Sequence, residues 1–182
     1  MTNPYNHDDK GLPLHPVLAG DFEQWLAGLP ATQQRWVTDN GFEAKAGELC
    51  SLPGDDGELL GYVFGMADEG WLYQLAPLVD KLPAGNYTLD SDWEADQRRQ
   101  ASVGWGLACY RFDRYCKPDG ELPSLYLEED IATETERLLV AQSLVRDLVN
   151  TPTEDLGPGQ LADAAWAQAD EFDAEMSVVK GV

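Results

Sequence analysis

The chain has 182 residues, 43% apolar and 25% charged, the make-up of one ordinary folded domain or of one domain with a piece of another. Six Trp, seven Tyr and five Phe supply enough large side chains for a core and exclude disorder except at the ends. Thirty-three acidic residues against 12 basic ones leave a net charge of −21, a field that repels phosphate backbones and anionic lipid surfaces and so argues against nucleic-acid and membrane partners.

Residues 1–13 read as a polar tail punctuated by Pro4, Gly11 and Pro13. LHPVLAG (14–20) predicts a short strand. A short helix follows, with Asp21 as N-cap and Gly28-Leu29-Pro30 as its stop, and then a second over 31–41 closed by Asn40-Gly41. The weakly alternating stretch 42–54 and the dense apolar run ELLGYVFGM (58–66) predict a β-hairpin across the five-residue turn PGDDG. WLYQLAPLVDKLPAG (71–85) reads as a helix interrupted by Pro77, and NYTLDS (86–91) as a strand.

The next helix, from about Asp92 to Phe112, carries two apolar stripes. Ala101, Trp105, Ala108 and Phe112 fall on one side, and Val103, Leu107 and Tyr110 on the other, at 100° per residue. A helix apolar on two faces is sandwiched between layers. Gly104, Gly106 and Ala108 remove bulk and let another backbone come close, at a cost in helix propensity. Arg111, Asp113 and Arg114 mark its emergence from the core. After the turn KPDGELP (117–123), SLYLEED (124–130) predicts a strand. Thr133 and Glu136 then form a capping box that opens a helix to about Val149, with Leu138, Ala141, Val145 and Leu148 in one stripe. NTPTEDLGPG (150–159) breaks that helix. Pro158 starts another, with Leu161, Ala165 and Phe172 on one face, and AEMSVV (174–179) reads as a closing strand. Strands alternating with helices predict an α/β fold.

Local chemistry is sparse. Cys50, Cys109 and Cys116 are odd in number, lack Cys-x-x-Cys spacing and have only His7 and His15 for company, so they read as buried free thiols rather than metal ligands, although Cys109 and Cys116 are spaced to share a helix face. The one small basic cluster, Arg98-Arg99 with Arg111 and Arg114, reads as helix surface before it reads as an anion clamp. Acidic pairs such as Asp55-Asp56, Asp68-Glu69 and Glu128-Glu129 read as solvated turns. Glycine-rich phosphate loops, His-Glu-x-x-His and Gly-x-Ser-x-Gly are all missing from the text. MTNPYNHDDKGLP has neither a basic start nor an apolar segment, so no secretory signal is read, no run is long enough to cross a bilayer, and the cytoplasm is the expected location.

Two segments carry a resemblance. GWGLACYRFDRYCKP (104–118) resembles the late helix of the N-terminal domain in the leucyl aminopeptidase family of dinuclear metallopeptidases. RDLVNTPTEDLGPGQLADAA (146–165) is similar to that family's passage from linking helix into peptidase domain, through Arg146, Leu148, Val149, Asn150, Pro152, Asp155, Pro158, Leu161 and Ala162. Glu154 and Leu156 depart from the Asn and Met frequent there. The resemblance implies a macro-domain-like mixed sheet flanked by helices (1–131), a linking helix (132–150) and the beginning of a truncated peptidase domain (151–182). It implies peptides as substrates, a homo-oligomer (a hexamer in the family) and two divalent ions, zinc or manganese, in a catalytic domain that would lie past Val182. The family's metal-binding stretch does not occur in this text, so no catalytic, cofactor-binding or metal residue is assigned and this length is expected to be inactive. A free-standing α/β module that binds a nucleotide-like or other small molecule, and a purely structural interaction domain, stay open beside that reading.

Overall fold

The computed structural model describes residues 3–116 and 120–179. Among them six strands form one sheet in the order β1-β6-β5-β2-β4-β3. The strands are β1 (Tyr5–Asn6), β2 (Leu12–Leu18), β3 (Leu49–Pro53), β4 (Leu59–Met66), β5 (Asn86–Leu89) and β6 (Ser124–Tyr126). All neighbours run parallel except β3, which returns antiparallel to β4 as the hairpin partner. The helices are α1 (Phe22–Ala27), α2 (Ala31–Asp39), α3 (Ala95–Cys109), α4 (Glu129–Asn150) and α5 (Pro158–Glu171). The sheet is therefore mixed and flanked by helices, as the resemblance implied.

The central strand contains two prolines. β2 pairs with β5 over Leu12–Leu14 and with β4 over Leu14–Leu18. The Leu14 carbonyl accepts from the Asp90 N–H, so even-numbered residues of β2 turn their polar groups toward β5. Pro16 therefore lacks its N–H on the β5 side, past the point where that ladder stops, and Pro13 lacks one on the β4 side, before that ladder starts. Neither proline costs the sheet a hydrogen bond.

Alternation along the strands feeds two cores. Leu14, Tyr62, Phe64 and Met66 face a large cluster completed by Leu75, Leu78, Tyr87, Trp105 and Leu125. Val17, Val63, Cys50 and Leu52 face a smaller one with Val37, Phe42 and Ala44, where α1 contributes Phe22 and Trp25. The Phe22 and Phe42 rings meet edge-on at 5.8 Å.

α3 is the layer over the larger core. Its start carries a capping box that the sequence reading missed: the Glu94 side chain accepts from the N–H of Gln97, and the Gln97 side chain accepts from the Glu94 N–H at 2.9 Å. The helix ends at Cys109, before the expected Phe112, because Tyr110 is already extended. Both of its faces are covered. A Cβ on Gly104 would strike the main-chain carbonyl of Leu72, whereas one on Gly106 would meet the Tyr5 hydroxyl and the Leu139 methyls. Two residues apart on a helix is about 200°, so these are opposite sides. The sandwiched helix is confirmed.

Other expectations are corrected. The 71–85 segment is not a helix but two separate 3₁₀ turns, Trp71–Tyr73 and Ala76–Leu78, because Pro77 cannot donate within a continuous ladder. The tail is not all tail: Tyr5 and Asn6 pair with Leu125 and Tyr126 at the sheet edge. The Thr133–Glu136 box does not start α4, which begins at Glu129 with the Ile131 and Ala132 N–H groups bonded to the Glu128 carbonyl. Thr133 is interior to the helix. Residues 174–179 form no strand. The turn expected at 117–123 falls partly on Lys117–Asp119, outside the described residues.

The chain separates into two compact units, Met1–Val140 and Ala141–Val182. In the second, Thr151 ends α4: its N–H and hydroxyl both donate to the Asp147 carbonyl, at 3.0 and 2.7 Å. Asp155 and Leu156 then turn on the Pro152 carbonyl, and Pro158 occupies the first turn of α5.

Candidate functional site

Successive connections leave the sheet in opposite directions around β2. From β2 the chain passes through α1 and α2 to β3 and β4 on one side, and from β4 it crosses to β5 on the other. Divergence of this kind opens a crevice at the carboxyl ends of the strands. A cavity of about 240 Å³ lies there. Its floor is Val17, Leu18 and Met66, at the ends of β2 and β4, and its walls are Trp25, Trp71 and Trp93. The Trp71 and Trp93 rings stand nearly perpendicular, with centroids 5.0 Å apart. Two carboxylates, Asp21 and Asp92, complete the lining and are exposed to solvent. None of these was singled out in the sequence as a site residue, Asp21 having been read only as an N-cap. The available cue is positional: Trp25 follows Leu18 by seven residues, Trp71 follows Met66 by five and Trp93 follows Leu89 by four, each just past a parallel strand.

The residues that the sequence did single out are dispersed. Arg98 pairs with Glu128 and, at 2.7 Å, with Asp130. Arg99 pairs with Asp96. Arg111, past the end of α3, reaches Asp80 at 3.1 Å and the Ala108 carbonyl at 2.6 Å. Arg114 lies over the Tyr115 ring. No joint anion clamp results. His7 donates to Glu136 at 2.9 Å and His15 sits 3.1 Å from Asp90, each a local surface pair.

The three thiols are free, but only Cys50 and Cys109 are buried; Cys116 is exposed, and because α3 ends at Cys109 the two do not share a helix face. Burial pushes the Cys109 thiol up to about 12, with Arg111 opposing and Asp80 adding, and burial also raises Cys50. Both are protonated at neutral pH and so are poor nucleophiles. Tyr5, whose hydroxyl donates to the Ser102 carbonyl at 2.8 Å, is held far above the usual phenol range by burial and then by Cys109 and Glu136. Among the described residues no three His, Cys, Asp or Glu side chains converge as metal ligands. Among them, too, no helix is long and apolar enough to cross a membrane.

The two cores, the central β2 and the crevice at its carboxyl end define an α/β domain with a mostly parallel sheet covered on both faces. The chain belongs to the family described as M17 aminopeptidase, N-terminal domain, which matches residues 12–128. Among solved structures, the cytosol aminopeptidase from Coxiella burnetii is 31% identical and superposes with a TM-score of 0.90 over 97% of this chain and 40% of its own. The bottromycin maturation enzyme BotP in complex with Mn (23% identity, TM-score 0.71, 95% of this chain, 39% of that one) and a mutant tomato leucine aminopeptidase (15%, 0.65, 95% and 44%) share the fold. The chain thus spans about 40% of the length of the Coxiella protein. Comparison with curated protein sequences returned no match.

Proposed function

We propose that this chain is the N-terminal, non-catalytic part of a metal-dependent aminopeptidase of the leucyl aminopeptidase type, an enzyme that removes N-terminal residues from peptides. The observation that carries the reading is the family match over residues 12–128 in a chain spanning 40% of its 31%-identical relative. In this reading residues 1–131 are the N-terminal domain, 132–150 the linking helix, and 151–182 the opening of the peptidase domain. The hydrolytic chemistry belongs to the remainder of the parent enzyme, where two divalent ions, zinc or manganese, polarise the peptide carbonyl and supply hydroxide when bound. The manganese complex of BotP supports a metal in the parent. The N-terminal domain shapes access to that active site and contributes to assembly into an oligomer, the hexamer of the family resemblance. The cytoplasm is the expected compartment, as for the relative named a cytosol aminopeptidase.

Leucine-anilide hydrolysis by the purified 182-residue chain with added manganese or zinc tests the assignment. No turnover is expected, and metal-dependent turnover sinks it. The crevice beside β2 favours a second reading, a small-molecule-binding module without peptidase activity. A nucleotide-like ligand fits poorly, since Asp21 and Asp92 line the crevice and the whole chain carries −21.

A further inference from the structure

We propose that the crevice at the carboxyl ends of β2, β4 and β5 binds a small organic cation of the alkylated-ammonium class, through the indole faces of Trp25, Trp71 and Trp93 and the carboxylates of Asp21 and Asp92. This goes beyond the aminopeptidase reading and does not depend on it.

Four observations converge. The cavity, about 240 Å³, has room for one compact head group and its methyl substituents. Three indoles from three separate strand connections wall it, and the Trp71 and Trp93 rings meet nearly perpendicular with centroids 5.0 Å apart. Indole faces attract cations through the ring quadrupole, more strongly than phenyl or phenol rings. The floor of Val17, Leu18 and Met66 is apolar and favours methyl groups over a bare, strongly hydrated ammonium. Finally, Asp21 and Asp92 have no hydrogen-bond or ion-pair partner among the described residues, unlike Asp90, Asp96 and Asp130 nearby in the chain or fold, each of which has a basic partner. Two such carboxylates beside the indoles give the crevice a negative rim, and the chain's net charge reinforces it. An anion meets repulsion here, and a neutral apolar group leaves both carboxylates without a counter-charge.

The test is a two-dimensional NMR titration of the 182-residue chain with choline chloride, reading the indole N–H signals. Sodium chloride of equal ionic strength and the neutral isostere 3,3-dimethyl-1-butanol serve as controls. Saturable shifts confined to Trp25, Trp71 and Trp93, with Trp36, Trp105 and Trp166 unmoved, support the site, provided both controls leave the three signals in place. Trp71→Ala should weaken binding about five-fold, the scale of one lost cation–π partner. Asp92→Asn, at an exposed position that leaves the fold intact, should weaken choline binding while the Trp36, Trp105 and Trp166 signals keep their parent positions. Non-saturating shifts, equal shifts with the isostere, or an Asp92→Asn chain that binds choline as the parent does would each overturn the proposal.

Discussion

Replacing Gly104 by alanine sets two local effects against each other. Helix propensity alone makes Gly→Ala in a helix interior stabilising by about 1 kcal/mol. The structure points the other way, because a Cβ on Gly104 lands on the carbonyl of Leu72. That oxygen belongs to the main chain of the Trp71–Tyr73 turn, so no side-chain rotation relieves it. Either α3 or the turn must move, and both carry parts of the larger core. Overpacking of this kind costs about 1–3 kcal/mol, and a main-chain obstacle places it at the upper end. After the propensity gain, a net loss of about 1–2 kcal/mol remains. For a chain of this size that lowers the melting temperature by about 2–8 °C.

The neighbouring glycine supplies the control. At Gly106 the obstacles are the Tyr5 hydroxyl and the Leu139 methyls, the latter 2.9 and 3.0 Å from the added carbon, and all are side-chain ends. Leu139 can change rotamer, while Tyr5 gives ground on its bond to Ser102. Gly106→Ala should therefore cost less than Gly104→Ala. Urea denaturation followed by far-ultraviolet circular dichroism measures both. A Gly104→Ala chain as stable as the parent, or a Gly106→Ala chain that loses more, refutes the close approach of α3 to the turn.

Trp105, fully buried with its indole N–H lacking a hydrogen-bond acceptor, should cost roughly 3–5 kcal/mol as alanine but much less as phenylalanine, which also removes the unsatisfied donor; urea denaturation distinguishes them. Ellman's reagent at pH 8 should titrate Cys116 rapidly in the folded chain and reach Cys50 and Cys109 only in denaturant. Stability should fall at alkaline pH: burial and then Tyr62 push Tyr87 up to about 12, as burial does Cys109, so the unfolded chain releases these protons first, and the contribution is full below pH 9 and lost between about 9 and 12. Denaturation midpoints across that range measure it, and a flat profile contradicts the burial of both groups. Limited proteolysis should cut within 153–159, between the Thr151 helix stop and α5, and leave a core ending near Asn150; cleavage confined to other loops contradicts a boundary there.

How much could be read beforehand depends on how far each feature reaches along the chain. The β3–β4 hairpin was legible because its turn, alternation and pairing all lie within 18 residues of text, and Gly57 adopts the left-handed backbone that the turn requires. α3 was legible as a sandwiched helix because its two stripes and its glycines sit on the element itself. Errors arose where a local pattern met a competing partner. Thr133 and Glu136 have capping-box spacing, yet the Glu128 carbonyl had already collected the first helical N–H groups. The box that does exist begins with Glu94, a residue outside the usual N-cap set. Central strands usually exclude proline, and only the offset between the two ladders flanking β2 makes Pro13 and Pro16 harmless there.

The crevice marks the limit of local reading. Trp25, Trp71 and Trp93 lie 46 and 22 residues apart, with no common periodicity, in a helix, a 3₁₀ turn and a loop. Their convergence follows from one long-range fact, that β2 lies between β4 and β5, which brings the ends of three parallel strands side by side. Strand order is a property of pairings across the whole unit. A tryptophan just after a strand therefore has no meaning until its strand has neighbours. The same holds for Asp21, which the sequence offered as an N-cap: its side chain makes no capping hydrogen bond, and it lines the crevice instead. An N-cap residue that does not cap leaves its carboxylate available for other work, and in this fold it lines the same crevice as the three indoles.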